Sequence, residues 1–120
     1  MIIQLSTLNH SWFIDLDGTI IKHNGHLIKN EKILKGVENF WAKIPKKDKI
    51  ILTTARRKED FKQVLVLLNS LDLRFDHIIF DLPLGERILI NDIKPSGLKT
   101  AIAINAERDK GLDFIKLNIK

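Results

Sequence analysis

Residues Ser11–Asp17 read SWFIDLD, and Gly18, Thr19, Ile20 and Ile21 follow at once. The run from Ser11 to Leu16 is short, apolar and rich in aromatic and β-branched side chains, the pattern of a buried strand, and it delivers two carboxylates, Asp15 and Asp17, at its end. Four further runs share that character: KIILTT (49–54), HIIF (77–80), RILIN (87–91) and TAIAIN (100–105). Between them lie two stripes of helical spacing. Ile33, Leu34, Val37, Phe40 and Trp41 precede Pro45, and Phe61, Val64, Leu65, Leu68 and Leu71 form the second. Strand and helix in alternation predict right-handed crossovers and an α/β fold: a doubly wound, Rossmann-like, mostly parallel sheet with helices on both faces.

The totals fit that class. A chain of 120 residues predicts one domain, 1–120, with 44% hydrophobic and 29% charged residues, ordinary for a globular protein. No stretch approaches the roughly 20 apolar residues that span a bilayer. MIIQLSTLNH has neither a basic start nor a long apolar core, so the expected compartment is the cytoplasm and no membrane partner is expected. The absence of cysteine excludes disulfides, a thiolate nucleophile and a zinc-thiolate site. The net charge of +5 is concentrated in KIPKKDKIILTTARRK (43–58). With no aromatic interleaved, that stretch reads as a solvated basic turn and argues against a nucleic-acid partner.

Ligands of doubly wound sheets bind beyond the carboxyl ends of the strands. The residues expected there are Asp15 and Asp17, then Thr53 and Thr54, then Asn91 and Asp92. Three converging carboxylates repel one another unless a cation or proton neutralises them. An all-oxygen set without histidine or cysteine suits a hard ion, and Mg²⁺ characteristically takes one or two carboxylates, waters and a phosphate oxygen. An isolated Asp-x-Asp pair also serves as a turn or cap; the surrounding strand, Gly-Thr pair and distant strand ends favour the metal reading.

The same residues carry a resemblance. DLDGT resembles the first motif of the haloacid dehalogenase-like phosphatases, IILTTAR their second, and RILIND a variant of their fourth, in the family's order and over Trp12 to about Pro95. The resemblance implies that Asp15 is the nucleophile forming an aspartyl-phosphate. Asp17 is the general acid and base, with its backbone carbonyl on the metal, and Asp92 completes a site for Mg²⁺ with Asp15 and Asp17. Gly18 lets the backbone turn close to the phosphate and Thr19 ties that turn. Thr54 fits the phosphate-binding hydroxyl and Thr53 is the alternative. Asn91, where relatives often have an acid, becomes a donor in the outer shell of the site.

The family also uses a Lys or Arg to hold the phosphate. Arg87 is the first candidate, then Lys94, then Lys58, and spacing distinguishes none of them from surface charge. His23 and His26 flank Asn24-Gly25, a tight-turn signal in the flap after the first motif, and are candidates for the leaving-group side or for a solvated hairpin. His77 reads as structural. Neither Gly18–Lys49 nor Ala55–Leu89 has room for a folded cap domain, so the resemblance points to the capless subgroup, whose open site is covered by a large substrate or another subunit.

GERILINDIKPSGLKTAIAINAERDKG (85–111) further resembles small predicted phosphatases of bacterial cell-surface carbohydrate pathways. The expected function is therefore Mg²⁺-dependent hydrolysis of a sugar phosphate, with a homo-oligomer covering the site. The alternatives are a nucleotide or nucleic-acid-end phosphatase and a non-catalytic module that binds phosphorylated ligands. A phosphate receiver is a further rival, but it has no use for a second acid two residues after its aspartate.

Overall fold

The computed structural model describes residues 1–23 and 32–120; the expected Asn24-Gly25 turn and His26 lie outside the described residues. Five strands and two α-helices follow in the order β1 (Ile2–Leu5), β2 (Ser11–Asp15), α1 (Val37–Lys43), β3 (Lys49–Thr53), α2 (Phe61–Leu71), β4 (His77–Ile79) and β5 (Lys116–Ile119). All strand pairs are parallel. They form a three-stranded sheet in the order β2-β3-β4 and a separate pair of β1 with β5. The described residues make an α/β protein with two α-helices and two parallel sheets.

The alternation of each element explains what it buries. Ile14 of β2 and Ile50 and Leu52 of β3 face the core, where Val37, Phe40 and Trp41 of α1 and Val64, Leu67 and Leu68 of α2 meet them. The Trp12 ring stands edge-on to Phe40, with centroids 5.7 Å apart, which places α1 on the Trp12 side of β2. Leu16, Ile20 and Ile21 continue the core past the end of β2. Their burial follows from a tight turn in which the N–H groups of Thr19, Ile20 and Ile21 all point to the Leu16 carbonyl.

Helix α1 begins later than the periodicity predicts. Ile33 and Leu34 precede it, Ile33 making a single antiparallel bridge to Ile21, and Gly36 breaks the pattern with φ at 77° before Val37. At its other end Ile44 is extended, as the residue before proline prefers. The Gly36 turn is locked by the chain near the C-terminus. Leu112 N–H donates to the Lys35 carbonyl at 2.8 Å, and a Cβ at Gly111 (φ 82°) would lie 1.9 Å from that same oxygen. Gly111→Ala is accordingly expected to destabilise the fold by more than about 2 kcal/mol, since it combines a left-handed residue with a backbone clash. The shift in the urea midpoint measures it.

The lysine-rich turn contains one buried acid. Asp48 is 2% exposed, and its carboxylate accepts from the Trp12 indole N–H at 2.9 Å, the His10 N–H at 3.0 Å and the His10 ring at 2.8 Å. These bonds tie the start of β2 to the start of β3, next to the backbone bond from Lys49 N–H to the His10 carbonyl. The lysines around it, Lys43, Lys46, Lys47 and Lys49, are exposed as the solvated-turn reading expects.

Two expected strands are absent. RILIN (87–91) and TAIAIN (100–105) belong to neither sheet; residues 80–115 contain no helix or strand and a single bridge, Ile93 to Lys99. Conversely, β1 and β5 form a sheet that the pattern of runs did not single out. The apolar character of RILIN and TAIAIN describes what a strand needs, but a strand also requires a neighbour to receive its backbone groups. In this chain residues 84–103 form an arm only in the sense that most of them are exposed and outside both sheets. The molecule measures 48 × 27 × 25 Å with a radius of gyration of 14.8 Å, above the about 13.5 Å typical of a compact domain of this length. Among the described residues, no helix is long and apolar enough to cross a membrane.

Candidate active site

Strand β2 ends at Asp15, and the parallel register sets Asp15 directly across from Thr53 of β3. The next residues turn immediately. Gly18, with φ at 86°, donates its N–H to the Ile21 carbonyl at 2.6 Å, and the Thr19 hydroxyl donates back to Asp15 Oδ2 at 3.2 Å. Thr19 thus ties the turn to the first acid. Asp15 is half-buried, and burial pushes its carboxyl above the ordinary range. The Thr19 hydroxyl and the Arg87 guanidinium oppose that shift, while the charge of Asp17 adds to it.

Asp17 is held by Arg56. The guanidinium spans the carboxylate with Nε to Oδ2 at 3.0 Å and Nη2 to Oδ1 at 2.8 Å, a two-pronged, charge-assisted pairing. Arg56 is the arginine of the TTAR run, and the turn after β3 explains its position. Thr54, 1% exposed, accepts the Arg56 N–H on its own hydroxyl at 3.0 Å, and its backbone bonds to Ile79 and Leu82 fix the strand end beside β4. Arg56→Lys keeps the charge but loses the fork. The expected result is a loss of about 1–2 kcal/mol of stability, read from chemical denaturation.

Arg87 lies on the other side of the pair, its Nη2 3.7 Å from Asp15 Oδ1. The carboxyl edge of β2 and β3 therefore brings together Asp15, Asp17, Gly18, Thr19, Thr53, Thr54, Arg56 and Arg87. Asn91, Asp92 and Lys94 are elsewhere, exposed on the arm. Asn91 Nδ2 donates to the Thr100 hydroxyl at 2.7 Å, the same hydroxyl donates to the Asp92 carbonyl, and Lys94 N–H bonds the Leu98 carbonyl. Asp92 does not reach Asp15 or Asp17, and among the described residues no group of three or more metal-ligating side chains is gathered. The side chain of Lys58 is exposed, and its N–H donates to Asp81 Oδ2 at 3.2 Å. His77 opens β4.

Sequence reading missed three contributors. Arg56 was visible within TTAR but its pairing with Asp17 was not. Asp109 clamps the first turn by two bonds, from its own N–H to the Gly18 carbonyl at 2.9 Å and from the His23 N–H to its Oδ1 at 2.6 Å. Arg108 packs on Gly18, where a Cβ would stand 3.2 Å from the arginine Cγ. Neither 108 nor 109 carries a spacing signal, because 90 residues separate them from the turn they hold.

Two half-buried carboxylates bracketed by two guanidiniums offer oxygen donors for a hard cation and forked N–H donors for a tetrahedral anion. Asp15 and Asp17 fit Mg²⁺ by donor type, because this ion needs only one or two carboxylates when a phosphate supplies a further oxygen. No family model matches this chain, and neither a curated protein nor a solved structure matches it significantly.

Proposed function

We propose that the chain is a Mg²⁺-dependent phosphomonoesterase of the haloacid dehalogenase-like type, with a doubly wound core and an open, capless site, acting on a small phosphorylated substrate. The observation that carries this reading is the placement of Asp15 and Asp17 at the carboxyl end of β2, with Thr53 in register beside Asp15 and Arg87 3.7 Å from its carboxylate. A crevice at that edge is where α/β sheets bind ligands.

In this reading an Asp15 oxygen attacks the phosphorus, the ester oxygen leaves with a proton from Asp17, and a water deprotonated by Asp17 then attacks the aspartyl-phosphate to release inorganic phosphate and restore Asp15. Each half is a displacement in which one P–O bond forms and one breaks. Asp15 and Asp17 would hold Mg²⁺, which supplies positive charge to the phosphoryl oxygens. Arg87 keeps company with the nucleophile and offers its fork to the phosphate. Arg56 positions Asp17, and the Thr53 hydroxyl, in register with Asp15, is the better placed of the two threonines to touch a phosphate oxygen. Thr54, buried and already bonded to Arg56, holds the turn. The openness of the site and the looser resemblance of residues 85–111 favour a sugar phosphate; a nucleotide is the second reading.

Phosphate release from an aryl phosphate and from a panel of sugar phosphates and nucleotides tests this. Turnover that requires Mg²⁺ and stops with chelator is the expected result. A pure, folded protein that releases no phosphate from any member with Mg²⁺ present would overturn it.

A further inference from the structure

The mouth of the site carries a guanidinium that neither aspartate engages. Arg56 is forked onto Asp17 and Arg87 approaches Asp15, so each of these cations already faces a carboxylate. Arg108 differs. Its Cγ lies 3.2 Å, and its Nε 3.9 Å, from where a Cβ on Gly18 would stand, so the side chain crosses that glycine from its stem to the first nitrogen of its charged group. Gly18 directly follows Asp17. Arg108 is exposed, and among the described residues its guanidinium has neither a hydrogen-bond nor an ion-pair partner.

The backbone holds Arg108 at this place. Asp109 N–H donates to the Gly18 carbonyl at 2.9 Å, Asp109 Oδ1 accepts the His23 N–H at 2.6 Å, and Lys110 N–H closes a turn onto the Glu107 carbonyl at 3.2 Å. The residue after Arg108 is therefore pinned to the turn that carries Asp17. The missing Cβ of Gly18 leaves the gap that the apolar stem of Arg108 fills, which directs its charged end to the surface of the turn.

Charge decides what such a group is for. A phosphate monoester brings close to two negative charges at neutral pH, which Mg²⁺ balances, while Arg56 and Arg87 answer the two aspartates. A third guanidinium beside them exceeds what a singly phosphorylated, otherwise neutral substrate needs. A planar fork of N–H donors matches a carboxylate or a phosphate.

We propose that Arg108 is a specificity-determining residue whose guanidinium binds a second anionic group of the substrate, a carboxylate or a further phosphate, apart from the phosphoryl group that is removed. The inference rests on the phosphatase reading and narrows the substrate class to phosphorylated sugars with two anionic groups. An isolated ion pair at an exposed position gains only about a few-fold. Two parallel bonds from a fork raise the expected preference to about tenfold.

Two matched pairs of substrates test it. Glucose 6-phosphate and 6-phosphogluconate differ by a carboxylate, and fructose 6-phosphate and fructose 1,6-bisphosphate by a phosphate. The wild type is expected to favour the doubly anionic member of at least one pair by about tenfold in kcat/KM, carried by KM, and the pair that responds distinguishes carboxylate from phosphate. In Arg108→Met, which keeps an apolar stem over Gly18 and drops the charge, the ratio should fall to about one. Arg108→Lys keeps the charge without the fork and should restore part of it. The wild-type preference should also shrink as salt is raised from about 0.05 M to about 0.5 M, because an exposed pair is screened.

Equal kcat/KM within both pairs in the wild type overturns the proposal. So does a preference that Arg108→Met retains, or a loss in Arg108→Met that is the same for both members of a pair, which would make Arg108 a holder of the transferred phosphate or of the Gly18 turn. Turnover of an aryl phosphate leaves the phosphatase reading standing in each of these cases. A wild type that hydrolyses none of these esters removes that reading instead, and calorimetric titration of the same four ligands then decides the anion site by itself. Tighter binding of a doubly anionic ligand that Arg108→Met loses would retain the site, and equal binding would discard it.

Discussion

Asp15→Asn is expected to reduce Mg²⁺-dependent phosphate release by a factor on the order of 10³ or more, while leaving the fold intact. The amide is isosteric and still accepts the Thr19 hydroxyl bond seen at 3.2 Å, so the sheet end has no reason to rearrange. What it loses is the anionic oxygen that forms the covalent intermediate, and removal of a nucleophile is among the largest single losses an active site can suffer. Asp17→Asn makes the contrast. If Asp17 moves protons, its loss should cost about 10²–10⁴-fold on an alkyl phosphate and less on an aryl phosphate, whose leaving oxygen needs little protonation. Equal losses for both substrates would count against the general-acid role. Retained turnover in Asp15→Asn would remove the covalent mechanism altogether. Rapid-quench trapping of acid-stable phosphoprotein from the wild type, absent in Asp15→Asn, checks the same step directly.

Asp48→Ala is expected to cost about 3–5 kcal/mol of stability. The residue is almost fully buried, and its removal leaves the Trp12 indole and His10 N–H donors without an acceptor in a place water does not reach. Equilibrium denaturation measures the loss, and Trp12 itself reports it by fluorescence. Asp48→Asn, which keeps the shape and one carbonyl oxygen, should cost about half as much. The pH dependence follows from the same contacts. Burial pushes the Asp48 carboxyl up, but the bonds from Trp12 and from the His10 backbone and ring outweigh it and hold the carboxyl below its ordinary range. A carboxyl lowered by folding contributes stability that is present above the unfolded value of about 3.9 and is lost as pH falls from there through the folded value. The wild type should therefore weaken on acidification through that window, and Asp48→Asn should lose part of that slope. An unchanged acid profile in the variant would show that Asp48 is not the group responsible.

Asp48 also shows why part of the structure escaped the sequence. It sits among lysines, and a solvated basic turn was the natural reading of KIPKKDKIILTTARRK. Burial there comes from Trp12, 36 residues away, and no local pattern announces such a partner. The strands SWFID, KIILT and HII and the stripe of α2 were legible because their periodicity records one-sided burial, which is a local property. The start of α1 was misread by four residues, because Gly36 takes a left-handed turn set by the chain around Gly111 and Asp113.

The sequence by itself determined that this is an α/β chain with parallel strands, that two aspartates and a Gly-Thr turn stand at the end of one strand, and that threonines stand at the end of the next. Those facts follow from residue spacing and from the rule that strands joined by helices run the same way. Only the tertiary structure decided that Arg56 forks onto Asp17, that Asp109 clamps the Gly18 turn, that Arg87 reaches Asp15, and that Asp92 stays on an exposed arm. Each of these depends on where distant segments meet, and an apolar run such as RILIN specifies a strand without naming the edge on which it pairs.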